Sequence, residues 1–381
     1  MSRLTVLQLV PALEGGGVER GTLEIARALT TRGHRSLVIS SGGRMVEQLQ
    51  KEGSEHFCWP VDRKSPWTLR LIWPMRRFLR EQDVDVLHYR SRVPGWVAYL
   101  AWRGMPVDAR PRLISTVHGL HSVSGYSAVM TRGEKIIAVS DTVKRYIIEN
   151  YPDADPDRIE LIYRGIDPEQ FPYGFQPGEA WLSEWKKDYP QFSCGLTLAL
   201  PGRLTRLKGH RDFLRIVAGL RQRNVDAKGL IVGGEDPRRR AYARQVRKWV
   251  EELDLGDSVI FTGIRSDMRE IYSQCDVVMS LSTRPESFGR TVLEALSLGR
   301  PVVGYDHGGV GEVLSELYPE GRVRLNDIDG AISKLLQPLP AVSENSSFLI
   351  GNMTGQTLDL YESVAQKPLM STAHKKGGCD E

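Results

Sequence analysis

Residues 285–296, PESFGRTVLEAL, constrain the fold of this 381-residue chain more than any other segment. They follow the run CDVVMSLS at residues 275–282, which is β-branched and apolar in the way of a buried strand. The apolar spacing then predicts a helix that ends at Gly299, and a further strand begins at Pro301. This order of strand, loop, helix and strand predicts an α/β unit with a parallel sheet, in which ligands bind at the carboxyl ends of the strands.

Two glutamates in this segment point to a nucleotide-sugar site. Glu286 lies in the loop, and Glu294 lies about five residues into the helix, or roughly 7 Å along its axis. The helix start at Phe288 and Gly289 offers N–H groups and a positive dipole end to a phosphate. One carboxylate could then bind sugar hydroxyls and the other ribose hydroxyls. Taken alone, this E-x7-E spacing more often marks two surface acids on an ordinary βαβ unit.

The composition excludes several classes of protein. A hydrophobic fraction of 41% and a charged fraction of 26% are ordinary for a globular chain, and the length predicts two domains. We find no apolar run of about 18 residues and no convincing signal peptide. The net charge of +4 is too small to indicate nucleic-acid binding. The cysteines are scattered, which argues against zinc or a disulfide framework and for reduced thiols in the cytosol: Cys58, Cys194, Cys275 and Cys379.

Two glycine-containing loops, each between a predicted strand and a predicted helix, could approach an anion. Gly16 and Gly17 follow the first strand, where glycine lets the backbone come close to a ligand, although such a run is more often only a tight turn. The pattern is not the G-x-G-x-x-G of a dinucleotide site. In the second half, Arg203 and Lys208 lie in a loop before a helix. A guanidinium fork and an ammonium suit a diphosphate, but two bases in a loop are normally just solvated.

Residues 62–80 alternate basic side chains with tryptophan and aliphatic ones. This pattern is typical of a membrane-surface contact. It is also typical of a buried amphipathic helix with a solvated basic face, which we favour slightly, and Pro74 argues against one continuous helix. The arginine-rich helix predicted from about Arg238 to Leu253 is expected to present a solvated face.

These motifs resemble those of the retaining GT-B glycosyltransferases of family 4, the glycosyl transferases group 1. The resemblance covers most of residues 1–365 and is strongest from 196 to 315. It rests on the E-x7-E segment with its Pro and Phe-Gly, on G-R-L-x-x-x-K-G at residues 202–209, and on the N-terminal Gly-Gly loop with the following Glu19, which is expected to face the interdomain cleft. Arg164 stands where the family usually has Asn, so a ligand contact from that position is not implied.

The resemblance implies an α/β GT-B fold, with two doubly wound Rossmann-like domains that face an interdomain cleft. The N-terminal, acceptor-side domain is expected at residues 1–175 and the nucleotide-sugar domain at 190–350. A helix at about 355–365 would pack back on the first domain, and residues 366–381 would form a disordered tail. Residues 308–314, GGVGEVL, are expected to form a loop below the donor.

The implied reaction moves a sugar from a nucleotide-diphosphate sugar to an acceptor hydroxyl with retained configuration. The resemblance assigns the two catalytic residues Glu286 and His118. The donor-binding residues that it implies are Gly16, Gly17, Arg203, Lys208, Gly263, Ile264, Phe288, Gly289 and Glu294. It implies no metal and no cofactor besides the nucleotide sugar, which is a co-substrate.

At family level we expect a hexosyl- or heptosyltransferase of bacterial cell-surface glycan biosynthesis, such as lipopolysaccharide core or polysaccharide. Its acceptor would be a glycan or glycolipid. The enzyme would be cytoplasmic and would not bind nucleic acid, and residues 62–80 could place it peripherally on the anionic inner membrane. The alternatives are a catalytically inactive nucleotide-sugar-binding or scaffold protein, and a sugar phosphorylase or epimerase of the same architecture.

Overall fold

The computed structural model describes residues 3–235 and 240–366, which form two compact units. The first unit contains residues up to 138, residues 144–162 and the residues from 354 onwards. The second contains residues 139–143 and 163–353. Each unit is built around one parallel sheet.

The first sheet has seven strands. They are β1 (Thr5–Leu9), β2 (Arg35–Ser40), β3 (Glu55–Cys58), β4 (Val86–Tyr89), β5 (Arg112–Val117), β6 (Lys135–Ala138) and β7 (Ile159–Leu161). Their order is β3-β2-β1-β4-β5-β6-β7, and all neighbours are parallel. The central strands are continuously buried, which is why they are apolar without alternation.

The second sheet repeats this arrangement with six strands. They are β8 (Leu196–Pro201), β9 (Ala227–Val232), β10 (Val259–Gly263), β11 (Val277–Ser280), β12 (Val302–Tyr305) and β13 (Arg322–Val323). The order β10-β9-β8-β11-β12-β13 matches that of doubly wound nucleotide-binding sheets, as does the order in the first unit. The strand order reverses between β8 and β11 here, and between β1 and β4 in the first sheet.

Thirteen helices occur in the described part of the chain. They are α1 (Gly17–Thr31), α2 (Val46–Lys51), α3 (Ile72–Glu81), α4 (Arg92–Arg103), α5 (Asp141–Asn150), α6 (Glu179–Asp188), α7 (His210–Arg221), α8 (Arg240–Glu252), α9 (Met268–Ser273), α10 (Arg290–Ser297), α11 (Gly308–Leu317), α12 (Ile328–Leu335) and α13 (Ile350–Gln366). The expected basic helix is α8, and Arg238 and Arg239 lie outside the described residues.

The second sheet is covered on both faces because successive side chains of a strand point to opposite sides. Leu198 and Leu200 of β8 pack with Phe213 of α7 in one hydrophobic cluster. Ala199, between them, packs with Val292 of α10 in another. These two layers confirm the doubly wound architecture expected from the sequence.

The second unit begins earlier than the expected boundary, at Tyr163 rather than near 190. The reason is packing. The rings of Tyr163 and Phe348 are 5.3 Å apart, and Ile166 pairs with Leu349 in a parallel bridge. Phe171 and Trp185 of α6 join the same hydrophobic cluster. Residues 163–175, which we had assigned to the N-terminal domain, therefore pack with the second sheet.

The last described helix belongs to the first unit from Thr354 onwards. The hydroxyl of Tyr361 lies 2.6 Å from Nδ1 of His88, a residue buried in β4. This contact is flanked by an ion pair of Arg32 with Asp359 at 2.7 Å and by a hydrogen bond from Nε2 of His34 to the Glu362 carboxylate at 3.1 Å. The disordered tail was predicted at residues 366–381; Gln366 is the last residue of α13, and residues 367–381 lie outside the described residues.

Residues 62–80 form two consecutive helical segments. A 3-10 helix spans Pro66–Leu71, and α3 follows directly. Pro74 does not interrupt α3 because it lies in the first turn, where no intrahelical bond needs its missing N–H. Among the described residues, no helix is long and apolar enough to span a membrane.

Candidate functional site

The loops that follow β8 and β11 carry four of the nine predicted donor-binding residues and the predicted catalytic residue Glu286. These strands are neighbours at the point where the strand order reverses, so their loops leave the same edge of the sheet next to each other. The β8 loop contains Gly202, Arg203 and a 3-10 helix, Arg206–Lys208, and it ends at Gly209. The β11 loop contains Glu286 and ends at Gly289.

The two loops are joined by an ion pair between Lys208 and Glu286. Nζ of Lys208 lies 2.7 Å from Oε1 of Glu286, and each side chain is about one quarter exposed. The hydroxyl of Ser282 donates to the same carboxylate oxygen. The backbone carbonyl of Glu286 accepts a hydrogen bond from the N–H of Gly309 at 2.8 Å. The sequence analysis assigned Lys208 and Glu286 to different parts of a donor, and the structure pairs them.

These contacts keep Glu286 ionised. Burial raises the pKa of the Glu286 carboxyl, but the charge and hydrogen bond of Lys208, the Ser282 hydroxyl and nearby His307 together bring it below its ordinary value. His307 is held by a 2.6 Å contact between its Nε2 and the carbonyl of Ser282. The site therefore presents a carboxylate at neutral pH.

The helix start behind Glu286 is α10. Gly289 caps it with φ +92°, a left-handed conformation that side chains disfavour, and a Cβ there would lie 2.9 Å from Val310 Cγ2. The start of a helix presents N–H groups and the positive end of its dipole to an anion, and in α10 the N–H of Val292 also donates to the carbonyl of Gly289 at 3.1 Å. Phe288 is buried between Tyr163 and Phe348. Only the backbone at Phe288 is therefore suited to a ligand contact.

Glu294 lies one turn further along α10 and is almost fully buried. The hydroxyl of Tyr272 donates to its Oε2 at 3.4 Å, and Nε of Arg290 lies 3.9 Å from Oε1. Burying a carboxylate is costly unless it is paired or hydrogen-bonded, and here the Tyr272 hydroxyl and the Arg290 guanidinium both stabilise its charge.

Gly263 and Ile264 lie at the end of β10. Gly263 has φ +71°, and the Ile264 side chain, 85% exposed, extends towards Gly234. A Cβ at Gly234 would lie 2.5 Å from Cγ1 of Ile264. The absence of a side chain at Gly234 thus allows Ile264 to lie over the backbone that follows β9. Arg203, on the neighbouring β8 loop, is exposed.

Residues 308–314 form the start of α11 and not the expected loop. The resemblance had implied a loop here, but residues 308–314 are helical and the glycines permit close packing. A Cβ at Gly308 would lie 2.8 Å from the carbonyl oxygen of Glu286, and one at Gly309 would lie 2.3 Å from Cα of Phe288. Ser282 and His307 were missed by the sequence analysis. Their positions directly after β11 and near the end of β12 were the available signal.

The first unit carries the remaining predicted residues. Gly16 caps α1, which begins at Gly17, and the carboxylate of Glu19 accepts the N–H groups of Gly15 and Gly16, the latter at 2.7 Å. This G-x-x-E arrangement is a capping interaction within the helix start. The N–H of Gly16, which lies in the loop expected to approach an anion, is therefore bonded to Glu19.

His118 directly follows β5, as expected, and is half-buried. His88 is fully buried in β4, where its second ring nitrogen lies 2.7 Å from the Thr116 hydroxyl, so it is a structural residue. Arg164 is also buried, with Nη1 3.9 Å from Sδ of Met353. Within the described ranges, no three His, Cys, Asp or Glu side chains are grouped so that they could hold a metal ion.

Comparison with known proteins agrees with this architecture. Residues 15–170 match the model of Glycosyltransferase Family 4, and residues 183–329 match that of Glycosyl transferases group 1. Two Rossmann-like units, each matched by a glycosyltransferase model, define a glycosyltransferase of the GT-B type. The chain belongs to the GT-B glycosyltransferase family.

Three similar proteins illustrate the relationship. The N-acetyl-alpha-D-glucosaminyl L-malate synthase of Bacillus anthracis is 25% identical over 342 residues, 86% of this chain and 85% of the relative. A glycosyltransferase structure from Rickettsia africae has a TM-score of 0.83 at 27% identity and covers 97% of this chain and 100% of its own. HepE of Anabaena, solved in complex with UDP, has a TM-score of 0.76 at 18% identity, over 94% and 100%. The last comparison shows a shared fold.

Proposed function

We propose that this enzyme transfers a sugar from a nucleotide-diphosphate sugar to an acceptor hydroxyl with retention of configuration. The observation that carries the proposal is the Lys208–Glu286 ion pair at the reversal point of the second sheet, in front of α10. A diphosphate at the helix start would attract Lys208, and Glu286 would then accept hydrogen bonds from hydroxyls of the sugar. The same pair of side chains would thus contact both the diphosphate and the sugar of the donor.

The donor would lie along α10. Arg203, Lys208 and the N–H groups at Phe288 and Gly289 would hold the diphosphate and stabilise the charge that develops as it leaves. This cationic set makes a metal unnecessary. Glu294, one turn into the helix, would accept the ribose hydroxyls, and the exposed Ile264 beside Gly263 would cover the base. The UDP complex of HepE supports a nucleotide in this fold.

Retention is explained best by attack on the same face from which the diphosphate leaves. The bond between the anomeric carbon and the diphosphate oxygen breaks, and its electron pair stays on the phosphate. The acceptor oxygen forms the new bond on that face, and its proton passes to a phosphate oxygen of the donor. Glu286 would stabilise the positive charge on the sugar ring. His118, Gly16 and Gly17 would contact the donor from the first unit.

We propose a hexose or heptose as the transferred sugar and a cell-surface glycan or glycolipid as the acceptor. The reaction would take place in the cytoplasm, where nucleotide sugars are made. A second candidate acceptor is a small hydroxy acid, which is favoured by the name of the Bacillus anthracis relative. An inactive nucleotide-sugar-binding scaffold is the alternative from another class, and turnover alone separates it from an enzyme.

The test is a turnover assay with UDP-, GDP- and ADP-sugars, with and without a chelator. We expect that only one of the three kinds of nucleotide sugar is used, and that its nucleotide diphosphate is released at the same rate when the chelator is present. The glycoside product, analysed by NMR, should have the same anomeric configuration as the donor. Lys208→Ala should lose this activity. The control is Lys228→Ala, which removes a lysine of β9 that forms an ion pair with Asp226, and it should keep the activity. Nucleotide binding without any hydrolysis or transfer would instead support the scaffold.

A further inference from the structure

A cavity in the first unit lies apart from the loops that would hold the donor. It has a volume of about 490 Å³ and lies between the 3-10 helix Pro66–Leu71, α4 and the loop after β5. Its interior is apolar, formed by Leu69, Val93, Trp96, Val97 and Leu100. A cavity of this size and lining is typical of a small-molecule site, and an apolar occupant would exclude water from it.

The entrance of this cavity is cationic. Arg63 and Lys64 line it and are exposed. Nζ of Lys64 lies 4.7 Å from the centroid of the Tyr126 ring, and the Arg92 guanidinium lies 5.4 Å from the same centroid. The ligand that complements this arrangement has an apolar part for the interior and an anionic group for the entrance.

The surface next to the entrance has the composition of a lipid interface. Trp67 is 65% exposed and Trp73 is 73% exposed, which is unusual for such large apolar side chains. The guanidinium of Arg70 lies 3.5 Å from the Trp67 ring, and that of Arg76 lies 4.8 Å from Trp73. Tryptophan prefers the boundary between water and lipid, and arginine next to it attracts anionic head groups.

Two of the segments that line the cavity leave the carboxyl edge of the first sheet. Tyr126 belongs to the same connection after β5 that begins with His118, and α4 starts directly after β4. Both connections leave the carboxyl edge of the first sheet, the edge at which ligands of such sheets bind. A molecule held by its apolar end in the cavity would therefore lie beside the loop of the proposed sugar-contacting histidine.

We propose that this cavity binds the apolar chain of an amphiphilic acceptor, and that Arg63 and Lys64 bind an anionic group, such as a phosphate, adjoining that chain. The inference rests on the proposed glycosyl transfer and names its acceptor class, a lipid with an anionic group. It differs from attraction to a membrane surface, because one chain enters the protein.

The chain-length dependence of binding tests the proposal directly. Calorimetry would measure binding of monomeric alkyl phosphates of increasing length, without any nucleotide sugar. Each added methylene should tighten binding about fourfold until the cavity is full, after which affinity should stay constant. An affinity that does not change with chain length would overturn the proposal.

Two variants locate the binding. Leu69→Trp places a larger side chain at the cavity wall and should weaken long-chain ligands at least tenfold, whereas Leu336→Trp, at a leucine of similar exposure on the second unit, should have no effect. The pair Arg63→Gln and Lys64→Gln should weaken every alkyl phosphate several-fold but leave the gain per methylene unchanged. Equal binding by Leu69→Trp and Leu336→Trp would contradict the assignment.

A second experiment uses vesicles that contain an anionic phospholipid. It distinguishes entry of one lipid chain into the cavity from attraction of the protein to the membrane surface. If the variant Leu69→Trp still binds vesicles while wild type fails to bind monomeric alkyl phosphates, the contact is only with the surface and the proposal is wrong. Binding of UDP-, GDP- and ADP-sugars is measured on the same samples. A wild-type protein that binds alkyl phosphates but none of these nucleotide sugars would contradict the proposed function and leave the cavity assignment standing.

Discussion

Nζ of Lys208 lies 2.7 Å from Oε1 of Glu286, and this ion pair joins the loops after β8 and β11. Each of the two charges therefore has a partner of opposite sign. A diphosphate that attracts Lys208 would leave Glu286 to the sugar hydroxyls, so donor binding would rearrange an existing interaction. Charge removal at either residue should then affect both parts of the donor.

Removal of Lys208 or Arg203 should weaken the binding of a nucleotide diphosphate. Each lost charge-assisted contact is worth about 1.5–3 kcal/mol, so Kd for UDP should rise about ten- to a hundredfold in Lys208→Ala and in Arg203→Ala. Calorimetry measures the change, and Lys228→Ala is the control. Wild-type affinity in both site variants would show that the diphosphate is bound elsewhere.

Replacement of Glu286 and replacement of Glu294 should affect different kinetic constants. Glu294 is proposed to hold ribose, which does not react, so Glu294→Gln should mainly raise the donor KM. Glu286→Gln keeps much of the hydrogen bonding but removes the negative charge next to the sugar, so kcat should fall more than KM rises. Steady-state kinetics with saturating acceptor separates the two effects.

A matched control for these variants is Glu134→Gln, because Glu134 pairs with Arg112 and its side chain is about as exposed as that of Glu286. Glu134→Gln should keep the wild-type kcat and the wild-type donor KM. Unchanged turnover of Glu286→Gln at saturating donor would contradict its role, as would a loss of kcat in Glu294→Gln with unchanged donor affinity.

Gly209 should not tolerate a side chain. Its φ of +71° is left-handed, and a Cβ would lie 2.0 Å from the carbonyl oxygen of Leu281. Gly209→Ala should therefore destabilise the second unit by about 2 kcal/mol or more, which differential scanning calorimetry would detect as a lower Tm. Gly256→Ala, at an exposed glycine with no atom near its added Cβ, should melt like wild type. Equal melting of the two variants would rule out this packing argument.

His210, the first residue of α7, should make stability depend on pH. Burial lowers its pKa from 6.5 to about 4, against the smaller opposing effect of the Thr205 backbone. As the pH falls below 6.5, His210 becomes protonated in the unfolded chain but stays neutral in the folded chain. The free energy of unfolding therefore decreases until about pH 4 and is constant at lower pH. The total loss of folding free energy is about 3 kcal/mol.

The variant His210→Gln removes this titration. Its Tm should fall less than that of wild type between pH 7 and pH 5, when both are measured in the same buffers. Identical pH slopes for the two proteins would mean that His210 is already protonated in the folded state or does not titrate in this range.

Attraction to anionic lipid should depend on the exposed arginines around α3. Arg76 is unsuitable for the test because it donates to the carbonyls of Leu100 and Ala101 and so holds the end of α4. Replacement of Arg70, Arg77 and Arg80 by Gln should lower binding to anionic vesicles, by about 1 kcal/mol per charge at low salt. Sedimentation with vesicles measures this.

The matched control replaces Arg240, Arg244 and Lys248 of α8 by Gln, which gives the same change of net charge in the other unit. This variant should sediment like wild type. If both triple variants lose binding equally, the attraction depends on net charge and not on the surface around α3.

Local patterns predicted the elements well because helix and strand periodicity acts over a few residues. The strand, loop and helix around residues 285–296 lie where the apolar spacing placed them, with α10 starting at Arg290. The G-x-x-E cap formed by Glu19 on Gly16 is equally local, and the capping rule could have predicted it. Instead, the resemblance placed Glu19 towards a ligand.

Long-range contacts could not be predicted in the same way. Lys208 and Glu286 are 78 residues apart, and only the strand order brings their loops together. Likewise, nothing local in residues 163–175 shows that Tyr163 and Phe171 pack with the second sheet. The resemblance implied a loop at residues 308–314, yet here the lack of a side chain at Gly308 and Gly309 allows α11 to approach Glu286 closely.

The contact of Tyr361 with His88 has a consequence for the order in which the protein is made. The first unit includes the residues from 354 onwards, so its core is incomplete until that segment has left the ribosome. The second unit ends at Met353, and all its residues emerge before α13 is finished. Domains usually fold in the order in which they are synthesised. Here the second unit can complete its fold first, because the first unit needs the residues from 354 onwards to complete its core.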